Sequence, residues 1–430
     1  MVRFFHWLFT WRVIRRTLIV LAWTATIIAL LYGEENWRGR RAWNKYRHEL
    51  EARGEQLDLK AFIPKPVPDE QNFAATPFIQ SWFKKMNDDK QWEDIYDRAA
   101  ARVPSSQDKS PRRFVDLGAW QMAFEAMRSG QTSQHQKFES DRFDTESRAT
   151  AAPAVLQGLE TSEPRLAELR AASRRPYSRY PVIYDLENPW GILLPHLAKV
   201  KGACARLQLK SCAELAIGQG TSALEAVKLM LYLVDSIKEE PFLISHLVRI
   251  ACLKIATQPI WEGLAQHRWS EAQLRELQSR LQQYNFVADL KRPLEAERAC
   301  GILTVELIRK RLDQLFVLSD GPSPTHASLS FASLIGRIVP SGWYYQEQFN
   351  YCRLYELQLG GTLDASESRV WPRRIASNAH ELEREISGGR LGRPLGAILR
   401  HRVVASLLLP ALDKAIRRTA AAQTAARPAV

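Results

Sequence analysis

The chain has 430 residues, of which 46% are hydrophobic, and a formal net charge of +13. That apolar share can bury a substantial core, divided into two or three packing units. Its five cysteines (Cys204, Cys212, Cys252, Cys300 and Cys352) are widely spaced and form no C-x-x-C, which excludes a zinc ribbon and a thioredoxin-type centre.

Residues 1–16 form a basic tail, and residues 17–33 (TLIVLAWTATIIALLYG) form a run without a single charge. As a helix this run reaches roughly 26 Å, the short end of what spans a bilayer. Trp7 and Trp11 precede it and Tyr32 and Trp37 follow, as suits rings at two membrane–water interfaces. Arg12, Arg15 and Arg16 can snorkel to the headgroups. The expected anchor residues are Trp11, Arg15, Arg16, Leu18, Leu21, Trp23, Ile27, Leu30 and Tyr32. No A-x-A closes the run, so a retained single-pass anchor is preferred to a cleaved signal peptide. The basic flanks and interfacial aromatics set it above a buried core helix. The charges on the two sides nearly tie, with Arg3, Arg12, Arg15 and Arg16 before the run and Arg38, Arg40, Arg41, Lys45 and Arg47 after it. A short first tail that stays inside then places the body outside the cytoplasm, at the bacterial inner membrane.

Residues 34–190 read as membrane-proximal helices and a proline-rich linker. An amphipathic helix starts near Asn36, with Trp43, Tyr46 and Leu50 on one stripe, and ends at Gly54. Three prolines then keep residues 59–68 extended. Short helices are expected at 78–86, 91–101, 114–129 and 154–159, and one opens at Ser162 with Pro164 in its first turn. Residues 176–189 are irregular and aromatic.

Residues 191–318 have the clearest pattern: helices over 194–217, 222–239, 241–267 and 271–284, then a long helix from 286 towards 318. Thr221 and Ser270 are the expected caps. Residues 319–430 form a basic C-terminal region with helices at 345–359, 367–387 and 395–426. No segment reads as a strand. The last helix pattern stops just before Val430, as in a chain that naturally continues further.

Between Arg369 and Arg418 there are eleven Lys or Arg against four acids, Glu381, Glu383, Glu385 and Asp413. Such a region meets anionic lipid or another anionic polymer, or nucleic acid, or is simply a solvated face. Gly218-x-Gly220-x-x-Ala223 loosely matches a dinucleotide fingerprint, but the helix-like residues before it make it an inter-helix turn. Ser81-x-x-Lys84 lacks the companion motifs of a serine–lysine enzyme, and His380-Glu381 lacks the second histidine of H-E-x-x-H. His246 reads as a packed helix residue. No catalytic, cofactor or metal site emerges. Glu295, Glu297 and Arg298 lie in an otherwise apolar helix, where Glu297 can face inward and pair with an arginine from a neighbouring helix; the readings are a structural pair or exposed face, with a ligand contact as the less favoured alternative. Trp343 and Tyr344 open an aromatic cluster that either plugs the core or forms a contact patch.

The segments LEARGEQLDLKAFIPKPVPDEQNFAATPF, EPFLISHLVRIA, LEAERA and VPSGWYYQEQFN together resemble a group of uncharacterised bacterial proteins with an N-terminal anchor and a helical body. Members of that group often continue past the last helix into a tyrosine- and glycine-rich module similar to the tail of secretion pseudopilins; its absence here implies truncation or divergence. The resemblance implies no substrate and no catalytic residues. The expected fold is all-α: one transmembrane helix, then a stack of antiparallel helical hairpins loosely similar to tetratricopeptide-type solenoids. The expected function is a non-enzymatic, membrane-anchored scaffold of the envelope, with the bilayer and a protein as partners. The rivals are a hydrolase acting on an anionic polymer through Glu295 or Glu297 and, less favoured, a nucleic-acid-binding protein.

Overall fold

The computed structural model describes residues 11–84, 94–103, 113–130, 137–139, 144–311, 339–364, 369–386 and 401–426. The fold is mostly helical. It divides into two compact units, each assembled from segments distant in sequence. Unit 1 comprises residues 1–61, 298–362 and 372–413; unit 2 comprises residues 62–297, 363–371 and 414–430.

Unit 1 is organised by α1, Trp11–Ala52, a continuous helix with two different surfaces. From Leu18 to Leu31 its apolar side chains are exposed, whereas in its second half Trp43 and Leu50 are buried. This second half packs along α13, Ser341–Leu359. The two run parallel, because partners advance together: Asn36 meets Ser341 and Gly342, Tyr46 meets Phe349 and Glu356, and Arg53 meets Glu356. At their crossing Gly39 and Gly342 face each other, and a Cβ at either position would run into backbone of the opposite helix. Asn36 Oδ1 accepts the Gly342 N–H at 2.8 Å and the Ser341 hydroxyl at 3.1 Å, so α1 caps the first turn of α13. Past Ala52 the chain turns through Gly54 at φ 78°, the left-handed conformation that glycine adopts without strain.

The rest of unit 1 packs on α13. It takes residues from Arg298 onward of α12, Lys291–Lys310, where Gly301 makes room for the buried Tyr351 ring. It adds α14, Pro372–Ile386, which buries Ile375, Leu382 and Ile386 along one face. The short α15, Val403–Leu408, is held at its start by buried Glu347, whose Oε1 accepts the Val404 N–H at 2.6 Å.

Unit 2 contains α2 (Pro77–Lys84), α3 (Ile95–Ala100), α4 (Leu117–Ser129), α5 (Thr145–Leu159) and α6 (Glu163–Ala172). These are followed by α7 (Pro195–Ala216), α8 (Gly220–Ser236), α9 (Leu243–Ala265), α10 (Glu271–Gln282) and α11 (Phe286–Asp289). Helices α7, α8 and α9 pack on one another and supply most of a large apolar core. A second core gathers α3, α4 and α5 against α7, around Phe124, Val155 and Leu209. The end of α16, Pro410–Ala426, adds Ala422 to the larger core.

Several boundaries differ from those read in the sequence. The turn after α7 closes as a Schellman motif, with Gly218 N–H bonded to Leu215 O and Gln219 N–H to Glu214 O. This carries the chain straight into α8 at Gly220, so Thr221 is inside the helix and not its cap. It also sets a helix before Gly218, as the inter-helix reading requires. The helix expected from 286 onward breaks after Asp289: Asn285 caps the short α11, and α12 restarts at Lys291. Residues 365–368, part of the expected helix start at 367, lie outside the described residues. On either side, β1 (Leu363–Asp364) and β2 (Arg369–Val370) pair antiparallel, contrary to the expectation of no strand. The helix there starts only at Pro372, a residue suited to a first turn.

Because backbone meets backbone at the α1–α13 crossing, no side-chain shift can relieve an added methyl. Gly342→Ala should destabilise the chain by about 3 kcal/mol, read as a lower melting temperature of the purified protein. Gly33→Ala, with no described atom within 4 Å of its Cβ, should leave melting unchanged or slightly raised.

Candidate functional site

Three surface features stand out among the described residues. The first is the apolar half of α1, where Leu18, Leu21, Trp23, Ile27 and Leu30 are all exposed, Trp23 at 66% and Leu30 at 68%. A continuous apolar surface of this kind is unusual on a water-facing helix, since each large side chain left in water forgoes about 1.5–3 kcal/mol of burial. Its polar groups are satisfied within the helix. The hydroxyls of Thr17, Thr24 and Thr26 donate to the carbonyls of Val13, Val20 and Ala22 at 3.0, 2.8 and 2.8 Å. The helix is long and apolar enough to cross a membrane. Arg15 and Arg16 lie exposed at its start and Tyr32 is half-buried near the end of the run. Trp11 opens the helix, and Trp7 lies outside the described residues.

The second is an irregular stretch of unit 2 between α6 and α7. It leaves Tyr177, Ile183, Trp190 and Leu193 exposed, Ile183 at 83%. The stretch is fixed at its base by Asn72, whose side chain accepts the Arg179 N–H at 2.8 Å and donates to the Arg179 carbonyl at 2.9 Å.

The third is a cleft of about 450 Å³ in unit 2, lined by Arg170, Glu225, Lys228, Tyr232, Glu276 and Arg280 among others. Lys228 Nζ bridges Glu225 and Glu276 at 3.1 and 3.0 Å. Arg170 pairs with Glu163 at 3.5 Å, and Arg280 pairs with Asp235. Each cation lining the cleft is therefore neutralised by a neighbour, and a charged ligand would have to break an existing pair.

Buried polar groups of unit 2 are also committed to the fold. Fully buried Arg148 binds Glu262 and the Val115 carbonyl, and lies 4.8 Å from the centre of the Phe114 ring. Arg206 binds Asp94 and Asp97 over Tyr96, and Arg249 binds Asp289 over Phe286. His196, Glu240 and Ser245 form a sealed group in which Glu240 accepts from both neighbours. None of the five cysteines forms a disulfide; Cys204, Cys212, Cys252 and Cys352 are buried and Cys300 is half-buried, Cys204 lies beside Cys252, and burial pushes the Cys352 thiol up to about 12. Among the described residues no group of three or more His, Cys, Asp or Glu is placed to hold a metal ion.

The residues singled out in the sequence fall in different places. Glu295 pairs with Lys291 at 3.8 Å, one turn away. Glu297 is half-buried, and desolvation pushes its carboxyl up to about 7. Its neighbour Arg298, buried over the Tyr355 ring, binds Glu55. Neither Glu295 nor Glu297 lines the cleft. Trp343 and Tyr344 are half-buried in the first turn of α13, Trp343 lying 5.1 Å from the His401 ring. Sequence reasoning missed Gly39, Asn36 and the Lys228 pairs. An isolated glycine inside a helical pattern was the available signal for the first.

Comparison with protein-family models, with curated proteins and with solved structures returns no match to this chain. Functional inference therefore rests on these surfaces.

His246 is buried, with Nε2 3.2 Å from the Thr419 hydroxyl and its ring edge-on to Phe286. Burial, reinforced by Arg249 and opposed by Asp289, lowers its pKa from 6.5 to about 3. The unfolded chain thus takes up this proton below pH 6.5 and the folded chain does not. Stability should fall as pH drops from about 6.5 towards 3, with a slope approaching 1.4 kcal/mol per pH unit from this group alone. Urea unfolding across this range, compared with His246→Gln, should show a flatter profile for the variant.

Proposed function

We propose that the chain is a single-pass membrane protein whose helical body acts as a non-enzymatic interaction scaffold of the cell envelope. Residues 17–33 hold it in the bacterial inner membrane, and the body lies outside the cytoplasm. The observation that carries this reading is the exposed apolar half of α1, with its threonine hydroxyls bonded back into the helix. In hydrocarbon no water is present to satisfy them, so internal bonding is the arrangement a spanning helix needs. The succession α7–α8–α9 supports a stack of antiparallel hairpins as the scaffold. The exposed Ile183, Trp190 and Leu193 supply a surface for a protein partner. The neutralised cleft and sealed polar groups favour a binding role over hydrolysis of an anionic polymer.

The full chain should stay in the membrane pellet through an alkaline wash. Each Leu, Ile or Val in the run favours insertion by about 0.3–0.6 kcal/mol, and one arginine at its centre opposes it by about 3 kcal/mol. Leu21→Arg with Ile27→Arg should therefore release the protein to the supernatant. Release of the unaltered chain would refute the anchor. A phosphatase reporter fused after residue 60 should be active; a stable but inactive fusion would place the body in the cytoplasm. Ile183→Asp with Trp190→Ala should abolish whatever membrane protein co-purifies with the unaltered chain, and unchanged co-purification would exclude this surface.

A further inference from the structure

In unit 1 the stretch of α1 just past the apolar run lies beside the first turn of α13. Together they gather arginines and rings at one level. The geometry points to a two-part collar, formed by Trp37, Arg40 and Arg41 with Trp343 and Tyr345, that binds the headgroups of anionic phospholipid. The inference rests on the membrane reading above and adds a ligand class and a site to it.

Residues 37–41 lie about 6–12 Å past Gly33 along the helix axis. A headgroup layer is about 5–8 Å thick on each side of the hydrocarbon, so Trp37 stands within it, and the long side chains of Arg40 and Arg41, about 10 and 12 Å out, meet it by leaning back towards the helix N-terminus. Trp37 is exposed there at 62%. The α13 contribution is set at the same level by the Asn36 cap and the Gly39–Gly342 crossing. Because the two helices run parallel, and Cα–Cβ bonds tilt towards a helix N-terminus, the rings of Trp343 and Tyr345 lean towards the apolar run.

The charges at this level are not equivalent. Arg38 pairs with Glu35 at 2.7 Å, and Glu34 lies on the adjoining turn. Among the described residues neither Arg40 nor Arg41 holds a carboxylate. The Arg40 guanidinium lies instead 5.7 Å from the centre of the Tyr345 ring, and that of Arg41 lies 5.1 Å from the centre of the Trp37 ring. A ring occupies the face of a guanidinium and leaves its N–H edge for a phosphate oxygen. Further along, Lys45 and Arg47 pair with Glu49 and Glu51 and stand about 18–21 Å past Gly33, beyond the headgroup layer.

The test uses the full chain reconstituted in vesicles of equal parts phosphatidylglycerol and phosphatidylcholine, then extracted in mild detergent, with the retained lipid counted by mass spectrometry. Phosphatidylglycerol should be enriched roughly fivefold or more over the bulk ratio, as about 1 kcal/mol per arginine predicts. Arg40→Gln with Arg41→Gln should return the ratio to parity, and Arg47→Gln should not change it. Tyr345→Leu should lower the enrichment, and full enrichment in that variant would remove α13 from the site. Parity in the unaltered chain, or undiminished enrichment in the Arg40/Arg41 variant, would overturn the collar while the chain stays embedded. A chain that an alkaline wash strips from the vesicles would instead fail the membrane reading.

Discussion

The close crossing of α1 and α13 is the constraint on which unit 1 depends. Two glycines inside helices are unfavourable, about 1 kcal/mol each relative to alanine. They are tolerated because backbone contact brings Asn36 onto the first turn of α13. The same approach aligns Tyr46 and Arg53 with Glu356 further along. These bonds fix not only the separation of the helices but also their register. Since α1 is continuous from the exposed apolar run to Ala52, that register determines which residues of α13 lie just past the run. A distant part of the sequence, residues 341–345, is thereby positioned by a helix that begins at Trp11.

Unit 2 is fixed by a different device. Arg148, Arg206 and Arg249 are buried almost completely, and each combines a carboxylate, a backbone carbonyl and an aromatic face. The segments so held, around Phe114–Val115, Asp94–Asp97 and Phe286–Asp289, are short or irregular. A buried ion pair is weak evidence for stability, because desolvation offsets its attraction. Its more distinctive effect is geometric. A planar guanidinium with several fixed donors accepts few arrangements, so each one specifies where its short segment docks.

Local signals in the sequence marked most of these helices, and pairings between distant segments were not marked. The Ser270 cap, the Gly54 stop and the stripe of Trp43, Tyr46 and Leu50 depend on neighbours within a few residues, and each is where the local pattern placed it. The break after Asp289 was missed because apolar spacing runs unbroken through it; Asn285 caps the helix before the break, and Pro293, in the first turn of α12, is the local signal of the restart. The two-residue ladder is too short to show an alternation. The partner of Arg298 was not legible for a third reason. Its carboxylate, Glu55, lies in the turn after α1, and nothing in an apolar helix of one chain segment points to it. For the candidate site, the charge-free run was legible from composition alone, but the approach of Tyr345 on α13 to Arg40 on α1 was not.

The sealed group of His196, Glu240 and Ser245 shows why residue type alone is a poor guide to chemistry in this protein. A nucleophilic serine needs a base that takes its proton, with a carboxylate behind that base to orient it. Here the order is different: Ser245 donates to Glu240, and His196 Nε2 faces the same carboxylate at 2.6 Å. The imidazole packs against Tyr180 and Phe83, with ring centres at 4.3 and 5.4 Å, and has no exposed surface. The carboxylate thus ties the start of α7 to the start of α9, where His196 and Ser245 reside. The effect is to hold the ring stack beneath the stretch that exposes Ile183 and Trp190. The polar groups of this cluster bond one another inside the unit, while Ile183 and Trp190 stay exposed on the stretch that Tyr180 belongs to.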